Sequence, residues 1–503
     1  MKYKFHAEKD SCRSTGKTGI RFPERVFLYY LCRLHWRRNG EIMQKPLPFF
    51  LITDTHYFEN ALGASGEAYE KRSFTDQKCI AETGAIIDAA FDILLAEKET
   101  ELVLIPGDLV FNGEKESHRG FIRKLEKLKA GGKRIYVTTA GHDFCDDPHA
   151  FEGDHQIPVE GTTRAELLEL YKDFGYGDNL VFDPRTYSYV AKLADGVRLL
   201  ALNCDGNLKH FHGFDEELMQ WIKVQIDDAK AAGDVFFAMV HYPLLPGSPA
   251  MNMPADAVMT NWKEASTRLA DFGLQLIFTG HMHMQTINAK TTEKGNTIYD
   301  VCTGSLVGCP ASIRKVILRD EKTVEITSTR IEDFDWDKNG MTGTEYFAWR
   351  FDRMINDIID SMAFDPQRFL RKISSDDNKA KHPGLISFAG RRIQKLTVGK
   401  IGRLLWIRPD PSIKKILVKD LGVEIVRNMF EGDEPYVEGT PVHTFIMKVL
   451  KRLKPVVKIL EKKLGKKNPL FADIPAFVSS LIGHGEQADN NATIILGEVI
   501  GKQ

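Results

Sequence analysis

Pro48-Phe-Phe-Leu-Ile-Thr53 runs directly into Asp54-Thr55-His56, and the reading of the whole chain turns on this stretch. A short apolar run that stops at polar turn residues is the signature of a fully buried strand. The same grammar recurs downstream. Glu101-Leu-Val-Leu-Ile-Pro106 ends in Gly107-Asp108, and Arg134–Thr139 leads into Gly141-His142-Asp143. Val235–Val240 ends in His241, and Leu274–Phe278 leads into Gly280-His281-Met282-His283. Val197–Leu202 is a further strand, and helical periodicity fills Ala81–Glu97, 117–130, 165–174, 215–231 and 262–272. Strands alternating with helices at these spacings predict an α/β fold with helices covering the sheet, closed by alternating strands at 297–302 and 313–330.

In an open α/β sheet the carboxyl ends of the strands converge on one crevice. Taken alone, each residue has an ordinary reading. His56 fits a strand-end turn, Asp108 a helix N-cap, and His241 a core histidine with satisfied nitrogens. Five successive strand ends that all carry Asp or His describe a site instead. Carboxylate and imidazole donors without thiolate suit Mn, Fe, Zn or Co rather than Ca or a Cys-type structural zinc. Two Asp and four His are too many for one ion but suit two ions sharing a carboxylate. Such a pair, ~3.5–4 Å apart, activates a hydroxide and clamps a phosphoryl oxygen.

Working outward, the chain has 503 residues, with 43% hydrophobic and 27% charged, which excludes a disordered or collagen-like protein and predicts two to three domains. No apolar run reaches the ~18 residues of a membrane-spanning helix. Seven cysteines form no CxxC pair, which argues against a disulfide framework or zinc ribbon and for a reducing, cytoplasmic setting. A net charge of −1 gives no reason to expect nucleic-acid binding. Charge is unevenly spread: about +7 over 1–47, about −16 over 48–344 and about +8 over 345–503. The expected domains are a basic N-terminal extension (1–47), an α/β catalytic domain (48–335) and a smaller C-terminal all-α domain (345–503). Residues 1–42 carry no clear period, and Met43 is the expected true start. Helical stretches are expected at Trp349–Ala363, Gly390–Ile407, Ser412–Phe430 and His443–Leu464, closed by an apolar stretch, Ala492–Leu496.

Asp-x-His, Gly-Asp, Gly-His-Asp, His and Gly-His-x-His, in this order over roughly 48–330, resemble the calcineurin-like metallophosphoesterases. Asp108-Leu-Val-Phe-Asn-Gly-Glu-Lys-Glu-Ser-His118 resembles the branch with bacterial cyclic-nucleotide phosphodiesterase-like enzymes, some of which end in a helical domain. Asn112 and Gly113 stand where the protein Ser/Thr phosphatases would have Arg and Gly, which disfavours that branch. The resemblance implies a β-sandwich flanked by helices and two divalent ions. It implies that Asp54, His56 and His283 hold one ion, His241 and His281 the other, with Asp108 as bridge. His142 would be the acid at the leaving-group oxygen, partnered by Asp54 or Asp143. The family has an Asn before the catalytic His, and here Gly141 stands in its place. In the ungapped register a neighbour such as Asn112, or water, fills the vacancy, or the second site is weak. In the other register His142 is itself a ligand and Asp143 the acid.

Asn112, His118 and Asn203 are the candidates for substrate contact. The expected activity is hydrolysis of a phosphoester, foremost a phosphodiester of a nucleotide-like small molecule. The alternatives are a phosphomonoesterase or phospholipid-headgroup hydrolase, and a ligand-binding pseudoenzyme with an impaired second metal site. The Lys-rich stretch Lys448–Lys467 forms an amphipathic basic helix, broken near Pro455. It suits peripheral contact with an acidic membrane surface or with the acidic catalytic domain itself.

Overall fold

The computed structural model describes residues 45–205, 211–248, 257–373, 383–464, 472–483 and 489–497. The expectations for residues 1–42 lie outside them. In chain order the strands are β1 (Leu47–Leu51), β2 (Leu102–Pro106), β3 (Arg134–Thr138), β4 (His149–Glu152), β5 (His155–Pro158), β6 (Val181–Asp183), β7 (Ser188–Ala194) and β8 (Val197–Ala201). They continue as β9 (Val235–Met239), β10 (Leu276–Thr279), β11 (Thr286–Thr291), β12 (Thr297–Cys302), β13 (Ser312–Leu318), β14 (Thr323–Arg330) and β15 (Ala492–Ile495). A six-stranded sheet has the order β15-β14-β13-β1-β2-β3, and a seven-stranded sheet the order β11-β12-β10-β9-β8-β7-β6. β4 and β5 pair as a separate hairpin.

Both sheets have parallel centres, with β1, β2 and β3 in one and β8, β9, β10 and β12 in the other. Buried on both faces, these strands read as continuous apolar runs. The sheets pack face to face through aromatic rings. Phe49 of β1 stacks on Phe237 of β9 at 5.3 Å and meets Phe278 of β10 edge-on at 5.4 Å. Helices Thr83–Ala96 and Lys115–Ala130 bury Ile86, Ile87, Leu94, Phe121 and Leu125 in the same core as the first sheet. Helices Glu216–Ala232 and Trp262–Phe272 bury Leu218, Ile222, Ile226 and Leu269 with residues of the second. The result is a two-sheet sandwich with helices outside, and the carboxyl ends of both parallel centres meet at one edge.

Between residues 343 and 482 the described elements are helices, beginning with Gly343–Phe364 and including Val398–Leu405, Val418–Glu431 and Pro441–Arg452. Val398, Ile413, Leu421, Val442 and Phe445 form its own small core. Its basic helix is broken, with Pro441–Arg452 followed by Lys454–Leu464 and Pro455 in the first turn of the second piece. One boundary needs correction. The apolar stretch near 492 does not close the helical domain: β15 adds to the edge of the catalytic sheet, antiparallel to β14. A Thr-Ile-Ile segment suits a strand, and the edge of β14 offered unpaired backbone groups. The same segment is tied in by Arg314, which is fully buried and donates to the Asp489 carbonyl at 2.7 Å and the Cys302 carbonyl at 2.9 Å.

Candidate metal centre

The site is built on strained backbone. Asp54, His56, Asp108, His281 and His283 all have positive φ, between 36° and 67°. This region is unfavourable for residues with a Cβ and persists only where the surrounding structure enforces it. Two glycines make the crowding feasible. A Cβ on Gly107 would lie 2.9 Å from the Ala140 Cβ and 3.0 Å from His241 Nδ1, and one on Gly280 would lie 2.5 Å from Asp54 Oδ2.

These turns aim six side chains at one another. Asp54 Oδ1 lies 3.3 Å from His283 Nε2, 3.6 Å from His56 Nε2 and 3.9 Å from His241 Nε2. Asp108 Oδ2 lies 3.1 Å from His241 Nε2 and 3.6 Å from His56 Nε2. His56 and His283 face each other, Nε2 to Nε2, at 3.2 Å. Asp54, His56 and His283 form one group whose ligand atoms lie within 4.8 Å of one another, and Asp108, His241 and His281 form a second. The carboxylate of Asp108 also belongs to a third group, with His56 and His142.

The protonation pattern matches a cation site. His241 Nδ1 lies 2.9 Å from the Pro106 carbonyl, which can only accept, so Nδ1 carries the proton. Its Nε2 lone pair therefore faces the Asp108 carboxylate, an arrangement that requires a proton or a metal ion between them. Asp54 Oδ1 is buried and has no hydrogen-bond donor. Burial raises the carboxyls of Asp54 and Asp108, but surrounding histidines, His241 foremost, outweigh it and hold both well below the usual range. Burial, with the Lys78 ammonium, lowers His56 to about 3. Burial also lowers His241, yet Asp108 and Asp54 outweigh it and push the ring up to about 10, the same demand for positive charge that a metal ion would meet. Ionised carboxylates and unprotonated imidazoles are the forms that bind metals, so these residues fit a pair of divalent ions.

His142 lies at the rim. Its Nδ1 is 2.6 Å from the Phe111 carbonyl and 3.0 Å from Asn112 Oδ1, which fixes the proton there and turns the Nε2 lone pair toward the cavity. Burial and Lys78 bring its pKa down to about 4. Asp143 is placed differently from the acid of the gapped register. Its carboxylate is buried and accepts from the backbone N–H groups of Leu109, Val110 and Ala140 at 2.8, 3.1 and 2.8 Å, clamping the Asp108 turn to the His142 turn.

Three further expectations shift. Asn112 does not fill the place beside Gly141, because its Oδ1 accepts from His142 and its Nδ2 lies 3.4 Å from His149 Nδ1. His118 is fully buried, with Nδ1 2.7 Å from the Tyr171 hydroxyl and Nε2 2.8 Å from the Asp143 carbonyl, so it supports the loop rather than reaching a substrate. Asn203 is buried too, donating to Thr139 Oγ1 at 3.2 Å. At Gly141 a Cβ would meet nothing within 4 Å, so the space beside it is open.

Sequence reading missed Lys78, whose Nζ is 3.1 Å from His142 Nε2. It sits in a loop between helices Glu67–Thr75 and Thr83–Ala96, where no strand end marks it. Asp300 was missed because it lies inside β12. Its buried carboxylate accepts from the Leu244 and Leu245 N–H groups, both at 2.7 Å, and so holds the turn after His241. A cavity of about 330 Å³ opens over the cluster, lined by Arg72, Lys78, Asp108, His142 and His283, with Met354 contributed by the helical region.

Residues 47–285 match the calcineurin-like phosphoesterase family. No curated protein matches the sequence. Among solved structures, the chain is similar to a dimetal phosphatase from Danio rerio at 16% identity and TM-score 0.42, over 59% of this chain and 98% of that one. It is similar to purple acid phosphatase PPD1 from yellow lupin (Lupinus luteus) seeds at 11% identity and TM-score 0.36, over 58% and 52% of the two chains. It is also similar to the NAD nucleotidase of Haemophilus influenzae at 13% identity and TM-score 0.31, over 70% and 62%. None of these three likenesses carries an inference about substrate. Residues 47–285 are a calcineurin-like phosphoesterase region, which makes the protein a metal-dependent phosphoester hydrolase.

Proposed function

We propose that the substrate is a phosphodiester of a small, nucleotide-like molecule. The observation that carries this reading is the shape beside the cluster. The 330 Å³ cavity shares Arg72 and Thr75 with a neighbouring cavity of about 390 Å³ between helix Glu67–Thr75 and the β4–β5 hairpin. Two adjoining spaces accommodate the two substituents that a diester, unlike a monoester, places on phosphorus.

In this reading Asp54, His56 and His283 would hold one ion and His241 and His281 the other, with Asp108 available to both. When bound, the ions supply an activated water and neutralise the phosphoryl oxygens. His142, with Nδ1 fixed on the Phe111 carbonyl, presents Nε2 to the departing oxygen. The negative charge of the incoming phosphoryl group offsets the burial and the Lys78 charge that keep this ring neutral and draws the Lys78 ammonium off Nε2, so Nε2 can carry and release a proton. Asp143 and Asp300 hold the turns in register.

A monoester is the second reading, favoured by the cationic Lys78, which suits a dianionic phosphate. The test is hydrolysis of bis(p-nitrophenyl) phosphate and p-nitrophenyl phosphate by the Mn²⁺-loaded protein. A higher kcat/KM for the diester supports the proposal, and a higher value for the monoester overturns it.

We also propose peripheral contact with anionic membranes through the helical region. Leu404 and Trp406, 75% and 87% exposed, project from the end of helix Val398–Leu405. Arg452 Nε donates to the Leu405 carbonyl at 2.9 Å, linking this end to the start of helix Lys454–Leu464, where Val456 and Ile459 are exposed among Lys454, Lys458 and Lys462. Apolar tips in a basic surround suit an anionic bilayer. Co-sedimentation with phosphatidylcholine vesicles should require added phosphatidylglycerol and be lost in the Leu404→Glu/Trp406→Glu double variant. Equal binding without phosphatidylglycerol, or none with it, contradicts this.

A further inference from the structure

We propose that Lys78 is a substrate-contacting residue whose ammonium holds a non-bridging phosphoryl oxygen of the ester; this rests on the phosphoesterase reading above. Lys78 is 5% exposed and lines the same cavity as Asp108, His142 and His283. Of its three N–H donors, one is directed at His142 Nε2, 3.1 Å away. Among the described residues no carboxylate lies within ion-pairing distance of Nζ. The nearest acid along the chain is committed elsewhere, since Asp76 Oδ2 pairs with Arg72 at 2.9 Å and Oδ1 accepts from the Lys78 backbone N–H at 3.2 Å. The face of Phe111 supports both cations, 5.3 Å from Lys78 Nζ and 5.4 Å from Arg72 Cζ.

A buried ammonium that no carboxylate contacts directly, with Asp76 and Asp108 acting only from farther off, is costly. Its position is explained if the counter-charge arrives with the ligand, and an anion entering this cavity meets two unused donors. Beside two divalent ions the ammonium is repelled while the site holds no anion. It becomes favourable as charge collects on the phosphoryl oxygens, which is the condition for stabilising a transition state more than a ground state. Gly141 belongs to the same argument. A Cβ at Gly141 would meet nothing within 4 Å, so open space adjoins the imidazole that the Lys78 ammonium touches.

The loop is fixed from both sides, so the cation is held in place in advance. Cys79 N–H donates to the Val307 carbonyl at 2.8 Å. From helix Gly343–Phe364, Arg350 donates to Glu82 Oε1 at 2.8 Å and to the Ser73 carbonyl at 2.9 Å, and the Tyr346 hydroxyl also donates to Glu82. The helical region thereby positions Lys78 as well as supplying Met354 to the cavity wall.

The test is titration of inorganic phosphate into Mn²⁺-loaded wild type, Lys78→Met and Lys78→Arg, followed by calorimetry, with bound metal counted in each. Methionine keeps the apolar stem and removes the charge. Lys78→Met should keep the wild-type metal count and bind phosphate about 10- to 100-fold more weakly, the range for one charged hydrogen bond. Lys78→Arg should stay within about tenfold of wild type. The inference is overturned if wild type binds no phosphate, if Lys78→Met binds it as tightly, if Lys78→Met loses metal, or if Lys78→Arg is as weak as Lys78→Met. If phosphate binding behaves as expected but neither ester is hydrolysed, the inference stands and the hydrolase reading falls.

Discussion

The strand-end cluster and the helical region obey different rules. In the cluster, five charged or imidazole residues adopt left-handed backbone, polar atoms are buried without donors, and glycines are needed to avoid collisions. The helical region follows local preference. Thr342, Thr397, Thr440 and Asp473 cap their helices with side-chain oxygens, and among the described residues of the region the non-glycine with positive φ is Trp406, at a helix C-cap. Local strain collects where chemistry is done, and the packed sandwich around it holds that strain in place.

The largest effect should come from the shared carboxylate. Asp108→Asn keeps the shape but removes the charge that faces both ligand groups, and kcat should fall by at least about 10³-fold. Near-wild-type turnover would show that the strained cluster is not the reacting centre. Next is the core that supports it. Phe49→Ala opens the interface between the sheets and should cost about 3–5 kcal/mol in urea denaturation. Phe445→Ala, in the small helical core, should destabilise that region while leaving bound metal unchanged. If Phe445→Ala also empties the metal site, the two regions are not separable as drawn.

Glu114 sharpens the comparison through pH. Its carboxyl is buried near the His142 loop, accepts from Asn112 N–H at 3.1 Å, and is pushed by burial up to about 7. The unfolded chain ionises at its ordinary, lower value, so the folded state binds the extra proton between the two. Stability should therefore decline as pH rises from about 4.5 to 7 and then level, by up to about 3 kcal/mol. Glu114→Gln should flatten this dependence in thermal melts from pH 5 to 8. A smaller effect is expected at Gly141, where the open space admits a side chain. Gly141→Asn should fold normally and tighten one of the two ions by about tenfold in metal titrations, whereas unchanged affinity would mean that the position does not face an ion. Smallest is the cap: Thr397→Ala should cost about 1 kcal/mol, seen as lost helicity on heating, with hydrolysis unaltered.

The sandwich and the cluster were legible because five of the seven parallel strands, β1, β2, β3, β9 and β10, are apolar runs that lead into Asp or His. The periodicity marks the strand, and the interruption marks the site. Lys78 was not legible, since its function depends on a loop folded across the cavity and pinned by Arg350, far along the chain. β15 was not legible as part of the sandwich because four residues near the C-terminus look the same whether they end a helical domain or pair with β14. The opposite error concerns His118. A histidine close to a Gly-Asp motif looks functional until Tyr171 and the Asp143 carbonyl are seen to occupy both ring nitrogens.

The central claim is that these six side chains hold two ions, and elemental analysis of the purified protein after Mn²⁺ loading and dialysis tests it most directly. Two manganese per wild-type chain, falling to one or fewer in Asp108→Asn, is the predicted result. One ion or none in wild type, or an undiminished pair in Asp108→Asn, would contradict it.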